Sequence, residues 1–261
     1  MFGGYDTKKF SGSLLSVPLQ PDSQTGKKDS MTVAWTSLSI NAGDSVKQVT
    51  SRNFAQPALL DSGTTMTIIP QEVYEALAEF FDAQDIGNGN VLVYCDALEK
   101  ANGTLDFQFG GSKGPVIKVP FSEFALPTSQ KDICSLGVQP TSNSLGIILG
   151  DTFLRSAYVV YDLDNMEISL AQTVFNTTET NVVEIAPSTP VTASSVTGVN
   201  VTPTPSAGLA TTGLVTTATN TLSDIASVPT STSSSKDGGV GALQVPGVLL
   251  GGLFLGTLVL A

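Results

Sequence analysis

The chain has 261 residues, a net charge of −11, and charged side chains at only 13% of its positions. So acidic a chain repels phosphate backbones, which argues against nucleic acid as a partner. It contains no histidine, which excludes Ser-His-Asp and Cys-His nucleophiles as well as histidine-based zinc sites. For hydrolytic chemistry, carboxylates are then the obvious acid and base.

The chain opens on Met1-Phe2-Gly3-Gly4, which is typical of the middle of a strand and a turn, not of a secretory signal peptide. We therefore expect this sequence to be part of a longer protein. From here to residue 175 the composition predicts one β-rich globular unit, large enough to bury a core. Runs of β-branched and aromatic residues bounded by turn formers predict strands at Met31–Ile40, Val91–Cys95, Thr104–Phe109, Val116–Val119, Ala157–Tyr161 and Glu167–Ala171.

The sharpest local signal is the run from Ala58 to Thr65, where apolar residues lead into Asp61-Ser62-Gly63-Thr64. This pattern predicts a strand that delivers a carboxylate into a tight turn. Gly63 permits close backbone approach, and the hydroxyls of Ser62 and Thr64 can donate hydrogen bonds around the site. Such donors favour the charged form of a carboxylate.

A helix is predicted from Pro70 to Phe81, directly after this turn. Proline suits the first helical position because its missing N–H would be unpaired there. Val73, Leu77, Phe80 and Phe81 fall on one face, which indicates packing against a core.

The two cysteines, Cys95 and Cys134, lie 39 positions apart. They would be free thiols in a reducing cytosol and one disulfide in a secreted protein. Three N-glycosylation acceptors, Asn102, Asn176 and Asn200, favour the secreted alternative.

A second apolar run, Ile147–Leu149, ends at Gly150 and is followed by Asp151, which we expect to cap a short helix. The two final strands of the globular unit follow this helix. The sequence Asp162-Leu163-Asp164-Asn165 between them predicts a hairpin turn.

From residue 176 to 244 the chain is dominated by Thr, Ser, Val, Pro, Ala and Gly, without an aromatic residue. Such a stretch buries too little apolar surface to offset its ordering entropy, so we expect a disordered stalk. Its Ser/Thr and Pro content is typical of O-glycosylated stalks, with a plain linker as the alternative.

The last segment, Val245–Ala261, is free of charge and mostly apolar. It is shorter than the ~20 residues of a spanning helix, and small residues with a short spacer precede it. This layout predicts a glycosylphosphatidylinositol (GPI) attachment signal, with a tail-anchored helix as the alternative. The candidate attachment residues are Ser233, Ser234, Ser235 and Asp237.

Asp61-Ser62-Gly63-Thr64, followed by the Gly146–Arg155 segment, resembles the pepsin-like aspartic proteases. The resemblance is to the second, C-terminal lobe and covers residues 1–175, where Met1–Asp6 with Phe10–Leu14 is similar to the segment that joins the two lobes. With the stalk and tail, the chain is similar to fungal, GPI-anchored yapsin-type proteases. The implied fold is the all-β acid protease lobe, a double-psi β-barrel or sandwich with short helices.

The resemblance implies that Asp61 is a catalytic aspartate of an endopeptidase that hydrolyses peptide or protein substrates at acid pH with activated water. Gly63 and Thr64 would bond its carboxylate, and Ser62 would join the grip between two active-site loops. It also implies a Cys95–Cys134 disulfide and no metal or cofactor. The protein would act at the cell surface, anchored by lipid to the plasma membrane or wall.

The sequence holds a single Asp-(Ser/Thr)-Gly motif, whereas catalysis in this family requires two carboxylates. Three interpretations stay open. The chain is the second lobe of a two-lobe enzyme whose N-terminal lobe lies outside it. It is a homodimeric protease that uses two copies of Asp61. Or it is a catalytically inactive, anchored surface protein.

Overall fold

The computed structural model describes residues 1–21, 25–87, 91–141, 146–185, 191, 193–196 and 201. Within these residues the chain is mostly β-strand with a few short helices. The strands are β1 Gly4–Asp6, β2 Phe10–Pro18, β3 Thr32–Ala42, β4 Ser45–Gln48, β5 Gln56–Leu60, β6 Thr67–Ile69, β7 Gln84–Asp85, β8 Val91–Tyr94, β9 Gly103–Phe109, β10 Val116–Pro120, β11 Ala125–Pro127, β12 Ile133–Leu136, β13 Val138–Pro140, β14 Ile147–Leu149, β15 Ala157–Asp162, β16 Glu167–Thr173, β17 Val182–Glu184 and β18 Ser194–Ser195. The helices are α1 Gln71–Phe80, α2 Cys95–Glu99 and α3 Asp151–Leu154, with one 3-10 turn at Phe121–Phe124.

The largest sheet has the strand order β10-β9-β3-β5-β14-β6-β13, and β4 pairs with β3. Most neighbours are antiparallel, but β14 runs parallel to β5 and β13 runs parallel to β6. These parallel pairs bring segments that are far apart in sequence to the centre of the sheet. The carboxyl end of β5, where Asp61 follows, therefore lies beside the carboxyl end of β14.

Two four-stranded sheets flank this one, with the orders β11-β12-β8-β7 and β15-β16-β2-β18. The pair β15 and β16 is joined by the predicted turn, in which the Asn165 backbone N–H donates to Asp162 Oδ1 at 3.0 Å. Strand β2 was missed as a strand, and it is the neighbour of β16.

The core is built from aromatic and branched side chains, which point inward from every second position of the strands. Trp35, Phe107, Phe109 and Phe153 are fully buried. Phe153 contacts both Phe107 and Phe109 edge to face, with ring centroids 5.2 and 5.6 Å apart. The short helix α3 is thereby fixed against the strand β9, which carries these two rings.

Helix α1 confirms the predicted helix with a shift of one residue, since Pro70 is its N-cap and not its first helical residue. Val73 and Leu77 are buried, as the periodicity predicts, and Tyr74 joins them. The prediction for Asp151 was wrong. Gly150 is the N-cap of α3, and Asp151 is the first helical residue, without a side-chain capping bond.

The chain beyond residue 176 first runs back along the lobe. Strand β17 pairs with β1, and β18 pairs in parallel with β2. Val183 and Ile185 pack with Tyr5 and Leu14 in a small apolar cluster. Further along, the Val201 backbone N–H donates to the buried Gln20 at 3.0 Å. The described part of this segment therefore lies against the lobe.

Among the described residues, no helix is both long and apolar enough to cross a membrane. The predicted tail Val245–Ala261 lies outside the described residues, as does the predicted stalk from residue 202 onward.

Candidate active site

Asp61 lies at the point where β5 ends in the middle of the main sheet. Its backbone N–H donates to the Leu149 carbonyl at 3.2 Å, which continues the parallel ladder between β5 and β14 by one residue. The side chain is half-buried, whereas Ser62 and Gly63 are exposed. The carboxylate is thus anchored to the sheet through its backbone and is open to solvent on one side.

Both carboxylate oxygens of Asp61 accept hydrogen bonds from its own turn. The Gly63 backbone N–H donates to Oδ1 at 2.9 Å, and the Thr64 hydroxyl donates to Oδ2 at 2.7 Å. The Thr64 backbone N–H also donates to the Asp61 carbonyl at 3.3 Å, which closes the turn. These donors fix the orientation of the carboxylate.

A second chain segment forms backbone hydrogen bonds to the same turn. The Asp151 backbone N–H donates to the Thr64 carbonyl at 2.8 Å, and that of Thr152 donates to the Thr65 carbonyl at 3.1 Å. The contact requires Gly150, because a Cβ atom there would lie 2.2 Å from the Thr64 carbonyl oxygen. The glycine at the end of the apolar run therefore serves close backbone packing against the Asp61 turn.

Buried hydroxyls support this crossing. The hydroxyls of Thr67 and Thr152 lie 2.9 Å apart, and Thr152 also donates to the Gly137 carbonyl at 3.1 Å. Both threonines are fully buried. They join β6, α3 and the residue before β13 beneath the site, a role that sequence reasoning missed because the two threonines lie 85 positions apart in the chain.

Tyr161 is a neighbour of Asp61 that sequence reasoning also missed. Burial raises the pKa of its phenol, and the nearby Asp61 carboxylate raises that pKa further. The residue belongs to β15 and is 41% exposed as a whole. Its strand lies in another sheet, 100 positions along the chain, so no local sequence signal could have paired it with Asp61.

The remaining predicted site residues lie elsewhere. Cys95 and Cys134 form a disulfide that links the start of α2 to β12, as the resemblance implied. Its sulfurs lie near Glu99, but sulfurs bonded to each other are not the thiolates that bind metals. Asn102 and Asn176 are exposed. Five further predicted site residues fall outside the described residues: Asn200, Ser233, Ser234, Ser235 and Asp237.

The arrangement around Asp61 offers one oriented carboxylate that is accessible to water or a substrate. Within the described residues, the groups that donate hydrogen bonds to the Asp61 carboxylate are the Gly63 N–H and the Thr64 hydroxyl of its own loop. Neither of these groups is a carboxylic acid. A lone ionised carboxylate can accept a proton from water, but it cannot at the same time donate a proton to a second group.

Comparison of the sequence with known proteins identifies the family to which the chain belongs. Residues 1–173 match the model of the eukaryotic aspartyl proteases. The chain is 38% identical over 196 residues to aspartic proteinase 3 of Saccharomyces cerevisiae, covering 73% of this chain and 33% of the relative. It is 35% identical over 191 residues to aspartic proteinase yapsin-3 of the same yeast, covering 73% and 37%.

A third relative is candidapepsin-3 of Candida albicans, which is 38% identical over 184 residues, covering 68% of this chain and 41% of the relative. The chain thus spans between a third and two fifths of the length of these curated relatives. The family match covers the Asp61 turn, the crossing at Gly150 and the strands on both sides of them. The chain therefore belongs to the eukaryotic aspartyl protease family, as an all-β, pepsin-like lobe similar to the yapsin-type enzymes.

Proposed function

We propose that Asp61 is one of the two catalytic carboxylates of an aspartic endopeptidase that hydrolyses peptide bonds at acid pH. The observation that carries the proposal is the grip on its carboxylate, with one oxygen held by the Gly63 N–H and the other by the Thr64 hydroxyl. Such a grip fixes the orientation of the carboxylate, as a general base requires.

The reaction needs a second carboxylate that shares one proton with the first. The ionised partner takes a proton from a water molecule between them, while the protonated partner donates to the carbonyl oxygen of the scissile bond. Two carboxylates this close cannot both be charged, so their pKa values separate. We propose that the second carboxylate comes from an N-terminal lobe that lies outside this sequence.

The experiment that tests this proposal uses the protein together with the coding sequence upstream of Met1. Asp61→Asn should abolish acid proteolysis and leave the fold intact. Asp164→Asn, in the exposed turn between β15 and β16, is the matched control and should retain full activity. Substantial turnover by the Asp61 variant, or resistance of the native enzyme to a statine-type inhibitor, would refute the proposal.

The purified 261-residue chain should not be a competent protease by itself, because one carboxylate cannot play both roles. If it cleaves peptides at acid pH and sediments as a dimer, the homodimer with two copies of Asp61 is the correct interpretation. If the complete protein also lacks activity, the chain belongs to a catalytically inactive surface protein.

We further propose that the protein is secreted and held at the cell surface. Relatives include a secreted aspartic protease of Candida albicans, and the Cys95–Cys134 disulfide fits an oxidising compartment. Asn102, Asn176 and Asn200 would carry N-linked glycans. Glycosidase treatment of the secreted protein should lower its mass, and Asn→Gln changes at these sites should abolish that shift.

The lipid anchor would be attached between Ser233 and Asp237 after removal of the apolar tail. Phosphatidylinositol-specific phospholipase should release the protein from cells that express it with a working signal peptide. Recovery of the tail peptide Val245–Ala261 in the mature, phospholipase-resistant protein would contradict this anchor and indicate a spanning helix.

A further inference from the structure

One buried carboxylate takes no part in the Asp61 turn. Asp6, the last residue of β1, is 3% exposed, and every other Asp or Glu that the structure describes is less buried. The ion pairs found among the described residues do not include it. A charge in such a place is costly unless hydrogen bonds compensate it, so its partners indicate what it does.

Asp6 connects three parts of the chain. The backbone N–H of Lys8, in the turn after β1, donates to Asp6 Oδ1 at 3.0 Å, and that of Asn181 donates to the same oxygen at 2.8 Å. Asn181 belongs to the segment from residue 177 onward, which runs back along the lobe and which we call the returning segment. The Asp6 backbone N–H donates to the Tyr158 hydroxyl of β15 at 2.7 Å. The carboxylate therefore attaches the returning segment at a point that β15 holds in place.

Apart from the apolar contacts of Val183 and Ile185, the returning segment has a small contact with β1. Strands β17 and β1 form a two-stranded sheet of three residue pairs. The Thr7 N–H donates to the Asn181 carbonyl at 3.0 Å, and the Ile185 N–H donates to the Gly3 carbonyl at 2.8 Å. A two-stranded ribbon is marginally stable, and peripheral elements of this kind open without unfolding of the whole domain. The bonds to the buried carboxylate can therefore decide whether the returning segment stays attached.

Ionisable side chains on the elements around Asp6 come from the turn after β1, the returning segment and β15. They are Lys8, Lys9, Glu179, Glu184 and Tyr158. The Lys8 ammonium pairs with Glu179 at 3.2 Å, and both side chains are exposed. The Lys9 ammonium donates to the Thr177 carbonyl at 2.8 Å. The cations thus bind the returning segment beside Asp6, whereas the buried position belongs to the carboxylate alone.

The ionisation of Asp6 depends on these contacts in a definite direction. The Asn181 bond is the main cause that lowers its pKa below 3.8; burial opposes it, and the Lys8 bond and the Lys9 charge lower it further. A group whose pKa is lowered in the closed state stabilises that state above its pKa in the open state. It loses this contribution as the pH falls through the closed-state value. The returning segment should therefore be held at pH 5 and open more often from about pH 4 downward.

We propose that the returning segment is an acid-released strap, which ionised Asp6 holds against β1 and which opens when Asp6 is protonated. Opening exposes residues 177–185, the stretch that leads from the lobe into the Ser/Thr-rich remainder of the chain. Exposed, extended stretches are preferred sites of proteolytic cleavage. Acid would thus make the connection between the lobe and the remainder accessible to endopeptidases. The inference does not rest on the proposed catalytic role of Asp61.

The test measures hydrogen exchange of single amides in the purified full chain by NMR at pH 5 and pH 3, corrected for the intrinsic exchange rate at each pH. The N–H groups of Thr7 and Ile185 report on the returning segment, and that of Leu60, which donates to the Met31 carbonyl at 3.0 Å, reports on the main sheet. Protection of Thr7 and Ile185 should fall by about threefold or more at pH 3, because charge-assisted hydrogen bonds are replaced by neutral ones. Leu60 should remain far better protected than both.

Asp6→Asn keeps an oxygen in place but cannot ionise. Its protection at the two reporter amides should be lower than that of the native chain at pH 5 and similar to it at pH 3. The matched control, Asp164→Asn, removes one negative charge from an exposed turn and should behave like the native chain. Gly4→Ala would place a Cβ 2.9 Å from the Val183 carbonyl oxygen, so it should lower protection at both pH values.

Glu179→Gln separates the effect of Asp6 from that of the Lys8–Glu179 ion pair. Exposed ion pairs contribute little to stability, so this variant should keep most of the native pH dependence. The native chain offers a further measurement if Asp6→Asn does not fold, as checked by circular dichroism. The NMR titration of the Asp6 carboxyl carbon should then have the same midpoint as the loss of protection.

Four outcomes would overturn the proposal. One is the same loss of protection in the native chain and Asp6→Asn, and another is a different midpoint for the Asp6 titration. Loss of the pH dependence in Glu179→Gln would assign the switch to the ion pair. Equal loss at Leu60 and at the reporter amides would mean that the whole lobe unfolds. Because no step requires turnover, either result leaves the catalytic role of Asp61 to its own test.

Discussion

At the scale of single residues, the Asp61 turn shows how a short motif encodes a geometry. An aspartate followed by Ser-Gly-Thr can fold its own backbone N–H and hydroxyl groups onto its carboxylate, as Gly63 and Thr64 do here. The local chain therefore supplies both donors without help from the rest of the fold. What it cannot supply is the wider environment of that carboxylate, in which Tyr161 of β15 lies close enough for Asp61 to raise the pKa of its phenol.

Tyr161 offers a direct test of that environment in the isolated chain. Burial and then the Asp61 carboxylate raise the pKa of its phenol, because a negative charge nearby opposes formation of the phenolate. Asp61→Asn removes that charge, so the pKa of Tyr161 should fall towards its ordinary value while remaining above it. A titration of the Tyr161 ring carbon by NMR measures the shift.

The control for this titration is Asp44→Asn, which lies in the turn between β3 and β4. It changes the net charge by the same amount and should leave Tyr161 almost unaffected. An identical shift in both variants would mean that Tyr161 responds to net charge and not to Asp61.

At the scale of elements, the crossing of α3 behind the Asp61 turn depends on one glycine. Gly150→Ala would place a Cβ 2.2 Å from the Thr64 carbonyl oxygen and 2.5 Å from that of Met66. Backbone atoms cannot yield cheaply, so we expect a loss of roughly 3 kcal/mol or more in the free energy of unfolding. Urea unfolding measures this loss.

Gly146→Ala, four residues earlier and just before β14, is the matched control. A Cβ at this position meets no atom within 4 Å, so the substitution should leave the unfolding free energy within about 1 kcal/mol of the native value. Equal destabilisation by the two alanine substitutions would show that the close contact at Gly150 does not cause the loss in unfolding free energy.

The returning segment, which runs back along the lobe from residue 177 onward, is a second element whose stability can be tested. The backbone N–H of Asn181 donates to Asp6 Oδ1 at 2.8 Å, and that of Lys8 donates to the same oxygen at 3.0 Å. The Asn181 bond is the main cause that lowers the pKa of Asp6 below its ordinary value of 3.8, although burial opposes it. Lys9 adds a bond from its ammonium group to the Thr177 carbonyl at 2.8 Å.

This lowered pKa predicts a pH dependence with a definite sign. A carboxyl whose pKa is lower in the folded state stabilises the fold above its unfolded pKa, and it loses that contribution as the pH falls through the folded value. The native chain should therefore exceed Asp6→Asn in unfolding free energy at pH 5, with the difference shrinking from pH 4 downward. Urea unfolding of both proteins across this range measures the difference.

The comparison needs a variant that removes one negative charge without touching the returning segment, and Asp164→Asn serves. A pH-independent difference between the native chain and Asp6→Asn would contradict the linkage. It would indicate that Asp6 stabilises the fold through the size and packing of its side chain, and not through its charge.

At the scale of the whole molecule, the Cys95–Cys134 disulfide closes a loop of 39 positions across the β8–β12 side of the lobe. On the chain-entropy model such a loop stabilises the folded state by roughly 4 kcal/mol. Replacing both cysteines by serine should lower the unfolding free energy by about that amount, measured in urea. The native chain treated with a reductant should match the double variant, and a loss below about 1 kcal/mol in both would contradict the prediction.

The amino-acid sequence by itself determined a good part of this protein. The strands that alternate or run apolar, the helix after Pro70 and the turn at Asp162–Asn165 all follow local rules, and the structure confirms them within one to two residues. The Asp61 motif and the segment Gly146–Arg155 pointed to the family, which the match over residues 1–173 shows.

Only the tertiary structure decided the rest, because the deciding contacts join residues far apart in sequence. Strand β2 was missed as a strand since its polar, serine-rich sequence becomes extended by pairing with β16. Asp151 was wrongly predicted to cap a helix because the crossing behind the Asp61 turn assigns the capping position to Gly150. The neighbourhood of Tyr161 and Asp61 likewise follows from how sheets are arranged in space, which no local pattern of residues encodes.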